Sequence, residues 1–325
     1  MIRSLYLTDS GELQGNLDLA AVKSTMTSGK GLLWVDLDTA DPDGRALLHD
    51  AFEFHFLAID DCYNGRVDTP KIDDYGTYLF IVAQSVDYSL QSEHLELTEL
   101  NLFLGQNYVV SVHQSPIAPV DELFKRAGES VHLVNRGAGF LAHTILDEMV
   151  DDILPAVEAM DERLDDLERA ILERPEKQLL SDVLRLKRDT LRLRRSILPQ
   201  RDMVNRLSRG EFGALIHTDA LIFYRDIYDH IIRIESTLEG LRDLADSALS
   251  SYLSAVNNRM NEIMKVLSVV AVVFLPLTLI ASIYGTNLDL RPFGLEFEHG
   301  FELMIGSMLM LAAGMVAYFR RRGWF

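Results

Sequence analysis

Apolar and polar positions change their rhythm three times along the chain. Ile2 to Leu7, Leu32 to Leu37, Tyr78 to Val86, Glu99 to Leu104 and Tyr108 to His113 are short runs rich in β-branched and aromatic residues. Most are closed by Gly, Asp, Asn or Pro, and they predict strands. Gly105, between the last two, predicts a tight hairpin. Asp43 to Phe54 and Phe56 to Tyr63 predict short helices, with Asp43 as an N-cap. From about Asp121 the period turns helical and stays so. Thr218 to Tyr284 reads as one helix, mildly interrupted by Gly240 and holding Pro276. The last change is to two runs without a formal charge, Val266 to Tyr284 with 19 residues and Leu303 to Phe319 with 17.

At ~1.5 Å of rise per residue, a helix of 19 residues nearly covers a hydrocarbon layer of ~30 Å. The second run sits at the lower limit of that range, and the two predict a hairpin of membrane spans. A buried core helix has the same composition, but two such runs in succession favour the hairpin. Arg259 and Lys265 precede the first span and Arg320, Arg321 and Arg322 follow the second, whereas the loop between carries only Arg291 against Asp289, Glu296, Glu298 and Glu302. The positive-inside rule then puts both termini in the cytoplasm. Met1 to Leu13 lacks the apolar stretch of a signal peptide, which agrees with a cytosolic first 264 residues. If unbroken, the helix from Thr218 reaches about 100 Å, so most of it forms a stalk outside the bilayer.

Composition bears on partners. The formal charge of −18 argues against nucleic acid and favours cations. Asp147 to Glu176 holds twelve carboxylates against three arginines, and Leu184 to Arg209 inverts this with nine basic residues against Asp189 and Asp202. Joined near Pro175, they predict an antiparallel pair of helices with complementary charge. The single cysteine, Cys62, allows no intrachain disulfide and fits a reducing compartment. No Gly-rich phosphate loop, Ser/His/Asp order or Cys/His cluster supports an enzyme. One long helix and a short second span cannot enclose a water-filled path, but several copies around an axis can.

Four segments carry a family resemblance: Asn261-Glu262-Ile263-Met264-Lys265-Val266-Leu267, Phe274-Leu275-Pro276-Leu277-Thr278, Tyr284-Gly285-Thr286-Asn287 and the basic-aromatic C-terminus. Together they resemble the CorA-type metal-ion transporters, which include the ZntB-like zinc transporters. The likeness extends upstream to Phe56–Cys62, Pro70–Phe80 and Ile145–Asp151, so it covers nearly the whole chain. It implies an α/β cytosolic domain, a long helical stalk and two C-terminal transmembrane helices, assembled as a funnel-shaped homopentamer with the first membrane helix lining the pore. The expected divisions are 1–135 (α/β domain), 136–217 (charged helical hairpin), 218–265 (stalk), 266–284 (first span), 285–302 (external loop), 303–319 (second span) and 320–325 (basic tail).

The resemblance also assigns chemistry. Gly285, Thr286 and Asn287 are expected to form the selectivity entrance, where a ring of neutral Asn287 carbonyls binds a hydrated cation by hydrogen bonds. Asp289, Glu296 and Glu298 in the loop attract cations. Asn261, Met264, Leu267, Ala271, Leu275 and Thr278 share the helix face expected to line the pore, with Leu275, Leu267 and Met264 as apolar constrictions. Lys265 with Arg320 to Arg322 forms a basic collar at the inner end. The family's cytosolic regulatory cation points to Asp226, with Asp60 or Asp61 of a neighbouring subunit as partner. Two departures stand out: Thr286 occupies a position that is Met in CorA and often Val in ZntB-like members, and Ser250 stands where a further acidic ring is expected. The expected function is passive divalent-cation transport across the cytoplasmic membrane, Mg²⁺ ahead of Zn²⁺, Co²⁺ or Ni²⁺, with Mg²⁺ both transported and bound as a regulator. Its partners are further copies of the chain, membrane lipid and divalent cations. The alternative is a membrane-anchored structural or stress-responsive protein of the same architecture with little transport.

Overall fold

The computed structural model describes residues 2–89, 94–285 and 300–324. In chain order the elements are β1 (Ile2–Leu7), β2 (Leu13–Gly15), α1 (Leu19–Ser28), β3 (Leu32–Asp38), α2 (Gly44–Asp50), α3 (Phe56–Tyr63), β4 (Lys71–Asp74), β5 (Leu79–Ser89), β6 (His94–Leu104), β7 (Tyr108–His113), α4 (Ala118–Glu129), α5 (Val131–Val134), α6 (Ala138–Asp151), α7 (Ile153–Glu173), α8 (Lys177–Ser208), a 3-10 turn (Thr218–Ala220), α9 (Leu221–Gly285) and α10 (Gly300–Arg321). They divide into two units, Met1–Ala170 with Glu176–Leu249 and Ile171–Pro175 with Ser250–Phe325.

The first unit is built on a seven-stranded sheet of order β2-β1-β3-β7-β6-β5-β4. Only β3 and β7 run parallel; the other neighbours are antiparallel. All five expected strands are present. β2 and β4 were not foreseen, because one spans three residues and the other, Lys71-Ile72-Asp73-Asp74, has a single apolar side chain. The hairpin at Gly105 is closed by its amide, which donates to the Tyr108 carbonyl at 3.0 Å. A Cβ there would lie 2.2 Å from the Tyr108 ring, so the turn needs glycine. Asp43 does occupy the N-cap position of α2, but its backbone is already helical (φ −85°, ψ −13°) and its side chain makes no capping bond. Side-chain caps are instead made by Asp18, which accepts from the Ala21 amide ahead of α1, and by His55, whose ring nitrogen accepts from the Leu57 amide ahead of α3.

Side chains alternate across the sheet. Leu33, Val35, Leu37, Phe80, Val82, Phe103, Val110 and Val112 pack beneath α1, α2 and α3, with Phe54 stacked on Phe103 and Cys62 fully buried. Trp34 points to the other face and meets Phe124 of α4, and α6 and α8 contact the strands as well. Cover on both faces explains why the strands read as continuous apolar runs.

One polar row crosses this core. Arg3 lies opposite Asp36, and Asp36 opposite Ser111, in adjacent registers. The Arg3 guanidinium reaches Asp36 at 2.8 Å and also Asp121. Ser111 donates to Asp36 and accepts from the Trp34 indole at 3.0 Å, and His113 Nε2 sits 3.2 Å from the same carboxylate. Burial works against the Asp36 charge, but the bond and charge of His113, with help from Ser111 and Arg3, hold its carboxyl below the usual carboxylate range.

The charged helices depart from expectation. The acidic run is split between α6 and α7 at Asp152. Between α7 and α8, Arg163 pairs with Asp182 at 4.0 Å, a cation on the acidic helix and an anion on the basic one. The cations of α8 turn to α9 instead: Lys187 to Asp246 (2.5 Å), Arg194 to Glu239 (3.9 Å) and Arg201 to Glu235 (2.8 Å). The period explains this, since residues seven apart fall on one face of a helix and that face of α8 meets α9.

Replacing Asp36 by Ala would leave Arg3 and His113 without their buried counter-charge. We expect a loss of about 3 kcal/mol or more, read as a lowered melting temperature of the detergent-solubilised chain. A melting temperature equal to wild type would show that the row contributes nothing.

Candidate functional site

α9 is a single helix of 65 residues with Pro276 inside it. Among the described residues, its C-terminal part and α10 are the two helices long and apolar enough to cross a membrane, with mean hydropathy of 2.7 and 1.6 over their best windows. Pro276 has no amide hydrogen, so the Val272 carbonyl one turn earlier has no helical donor. Asn261, Met264, Leu267, Ala271, Leu275 and Thr278 all lie on α9 within an arc of roughly 120° at 100° per residue. All six are exposed, Leu267 by 60% and Leu275 by 70%. The Thr278 hydroxyl donates to the Phe274 carbonyl at 2.8 Å, which leaves its oxygen lone pairs turned away from the backbone. Gly285 ends α9. Thr286, Asn287, Asp289, Glu296 and Glu298 lie outside the described residues.

Within the second unit, α10 lines a groove of about 580 Å³ against Val272 with Ser307, Met310, Leu311, Gly314, Met315, Tyr318 and Phe319. The chain end folds back on α10: Gly323, at φ 70°, donates to Arg320 and Trp324 donates to Phe319, a left-handed helix terminus that packs Trp324 on Phe319. Arg322 lies over the Tyr318 ring. Lys265 and Trp324 border one groove of about 560 Å³ together with Asn258, Asn261, Glu262, Met264 and Ser268. Lys265, just before the first apolar run, and Trp324, just after α10, therefore flank a common cleft.

The first unit holds a second constellation. Asp147 and Asp151 on α6 and His230 on α9 place one ligand atom each within 4.8 Å of one another. His230 Nδ1 is 3.0 Å from Asp151, and its Nε2 is 4.0 Å from Asp226. Asp147 has a buried oxygen without a hydrogen-bond partner among the described residues. Burial, then the charges of Asp151, Asp226 and Glu148, against the opposing pull of His230, push its carboxyl up to about 6. Three carboxylates and one imidazole suit a divalent cation, with the imidazole favouring borderline metals over Mg²⁺. Asp226 is thus beside the cluster, whereas Asp60 pairs with Arg45 at 3.1 Å and Asp61 with Lys71 at 2.7 Å in the same chain. His230, Asp147 and Asp151 were not singled out as ligands from sequence. The available signal was spacing: Asp147/Asp151 and Asp226/His230 are both i, i+4 pairs, each presenting two ligands on one helix face.

Residues 29–321 match the family model described as "CorA-like Mg2+ transporter protein". The chain is 33% identical over 326 residues to the protein YfjQ of Bacillus subtilis, covering 100% of this chain and 99% of that one. It is 34% identical over 279 residues to the cobalt/magnesium transport protein CorA of Thermotoga maritima, covering 84% of this chain and 77% of that protein. The solved complete structure of the CorA magnesium transporter from Methanocaldococcus jannaschii superposes with a TM-score of 0.84 at 19% identity, covering 100% of this chain and 99% of that one.

The raised Asp147 carboxyl has a defined consequence. Its folded value lies above its ordinary 3.8, so its contribution to stability is fully present below that value and is lost as the pH rises through about 6. With no divalent cation present, Asp147→Asn should therefore stabilise the protein at pH 7.5 by about 1–2 kcal/mol after allowance for solvent screening. The gain should shrink to about a third at pH 4.5. Melting temperatures of both forms in chelator, at the two pH values, check this, and an equal gain at both would refute the repulsion.

Proposed function

The chain belongs to the CorA-like Mg2+ transporter family, it is a metal-ion transporter rather than an enzyme, and we propose that it works as a homopentameric, passive divalent-cation channel of the cytoplasmic membrane with Mg²⁺ as its first substrate. The observation that carries this reading is the uncovered face of α9. Six residues from Asn261 to Thr278, polar at both ends and mostly apolar between, are exposed on one chain and acquire a role only when further copies gather around them.

In this reading both termini are cytoplasmic and the loop after Gly285 faces outward. Asp289, Glu296 and Glu298 raise the local cation concentration. Asn287 carbonyls, with Gly285 and Thr286 beside them, bind the ion through its water shell, because Mg²⁺ dehydrates reluctantly. Below them Leu275, Leu267 and Met264 form narrow apolar rings that close by dewetting, and Thr278 and Asn261 offer the ion oxygen contacts on either side. The span from Val266 to Tyr284 holds no ionisable side chain apart from the tyrosine hydroxyl, so it supplies no proton relay. None is needed, since an inside-negative potential favours entry of a divalent ion by roughly 4.6 kcal/mol per 100 mV. Lys265 and Arg320 to Arg322 at the inner end either anchor headgroups or form an electrostatic barrier. Regulation falls to the cytosolic cluster: cation bound at Asp226 with His230, Asp147 and Asp151, and approached by Asp60 or Asp61 of a neighbouring subunit, screens carboxylates that otherwise repel and holds the closed form.

Flux of Mg²⁺, Zn²⁺ and Co²⁺ into proteoliposomes tests the function. Wild type should take up Mg²⁺, and Asn287→Ala should lower uptake by about tenfold or more, the scale of a lost selective contact. Uptake of every ion unaffected by the substitution would remove the entrance assignment, and no uptake at all would favour the structural alternative. In competition assays Thr286→Met should shift preference toward Mg²⁺ over Zn²⁺. An unchanged preference sinks the role of Thr286.

A further inference from the structure

The hairpin of α9 and α10 carries two grooves that meet at one aromatic pair. The first, of about 580 Å³, is apolar: its floor runs along α10 from Ser307 through Met310 and Gly314 to Tyr318 and Phe319, with Val272 as the α9 wall. From Ser307 to Phe319 is ~18 Å of helix at ~1.5 Å per residue. That is close to the ~15 Å that one leaflet contributes to a hydrocarbon layer of ~30 Å. A Cβ on Gly314 would meet nothing within 4 Å, and Met310 is 79% exposed, so the floor is open on this chain. The second groove, of about 560 Å³, is mainly polar along α9, where Asn258, Lys265 and Ser268 border it, and Trp324 closes its other side. Trp324 packs on Phe319 with ring centroids 5.3 Å apart, so the apolar groove ends where the polar one begins. Tyr318 and Trp324 are the side chains expected at headgroup level.

The cations at this end are uncommitted. Arg259 pairs with Glu262 at 3.2 Å, which takes up the carboxylate of the polar groove. Lys265, Arg320, Arg321 and Arg322 make no ion pair among the described residues. Arg322 lies 5.7 Å from the centre of the Tyr318 ring, at the rim of the apolar groove. In a chain of formal charge −18, four cations without an acidic partner at the mouth of an apolar groove call for a counter-charge from outside the chain. A helix from another copy would cover the groove but not meet that need, because neither apolar run carries a carboxylate. The site is also clear of the stripe assigned to the pore. Lys265 and Val272, seven apart, fall within about 20° of each other on α9 and roughly 90° from the centre of the stripe running from Asn261 to Thr278.

We propose that this hairpin seats one anionic phospholipid, with an acyl chain in the apolar groove and the phosphate held by Lys265 and Arg322. A single amphiphile fills both grooves at once, and its charge complements the cations. A zwitterionic lipid brings its own cation to the same place and gains less. The inference needs the hairpin to lie in the membrane and is independent of which ion the protein carries.

Tryptophan fluorescence tests this on the full-length protein. The chain has two tryptophans, and Trp34 is fully buried in the sheet core, so bromine on an acyl chain quenches Trp324 selectively. The protein is reconstituted in phosphatidylcholine with increasing fractions of acyl-brominated phosphatidylglycerol or, in parallel, acyl-brominated phosphatidylcholine. Phosphatidylglycerol should quench at about tenfold lower mole fraction, the scale of two cations beside an anionic lipid. Lys265→Gln with Arg322→Gln should remove that preference. Gly314→Leu, which fills the groove floor and keeps every charge, should remove it too; Ser307→Leu fills the other end of the groove and takes its place if size exclusion shows that Gly314→Leu fails to assemble. Equal quenching by the two lipids in wild type would show that Trp324 meets bulk lipid and would overturn the seat. A preference that survives filling of the groove would overturn it as well, since the cations would then gather anionic lipid without seating any. Weak quenching by both lipids would mean that another helix occupies the groove, and the inference would fail.

Discussion

A backbone inside hydrocarbon has no water to bond with, so every amide and carbonyl there must find its partner within the same segment. α9 meets this constraint with one ladder of hydrogen bonds from Leu221 to Gly285, broken by a missing donor only at Pro276. The same ladder continues far beyond the apolar stretch, through residues whose buried side Tyr224, Ile227, Ile231, Ile234, Leu238, Leu241, Ala245 and Ala248 occupy.

The charge distribution follows from which cations are already engaged. The chain carries 31 Lys and Arg against 49 Asp and Glu, so any cation committed inside the fold leaves the surface more negative. α8 commits Lys187, Arg194 and Arg201 to α9. The carboxylates Glu158, Asp161, Glu162, Asp165 and Glu173 of α7 are left exposed, and a solvated acidic surface of this kind draws cations toward the protein without binding any of them tightly. Asp147, half-buried and crowded by Asp151 and Asp226, is the opposite case, where desolvation turns repulsion into a cost that a bound cation or a proton relieves.

How much was legible in advance depended on the range of the interaction. Strands such as Ile2–Leu7 and Tyr108–His113, α3 at Phe56–Tyr63 and the continuity of α9 show in local rhythm, because burial on both faces or on one helical stripe imprints a period. β4 was missed because an edge strand with one apolar residue imprints none. The ladder of α8 was assigned to the wrong neighbour: sign and proximity in sequence suggested α7, but the facing surface is chosen by tertiary packing, and only the seven-residue spacing of Lys187, Arg194 and Arg201 hinted at a different helix. His230 escaped notice for a similar reason, since its ligand neighbours Asp147 and Asp151 are about 80 positions away in the chain. Gly285 to Asn287 stood out as consecutive positions of a family motif, of which Thr286 and Asn287 lie outside the described residues.

Cys62 has a practical meaning that its place in the core does not advertise. It is the sole cysteine, fully buried on the inner face of α3, its sulfur donating to the Ala58 carbonyl, and burial together with the Glu99 and Asp61 charges raises its thiol well above the ordinary range. The thiolate that reacts with maleimides is therefore scarce and shielded. Any second cysteine placed on an exposed position, such as Leu253 on α9 or Met310 on α10, becomes the one thiol that an added fluorophore or spin probe can reach. The wild-type chain thus serves as its own unlabelled background for distance measurements between copies.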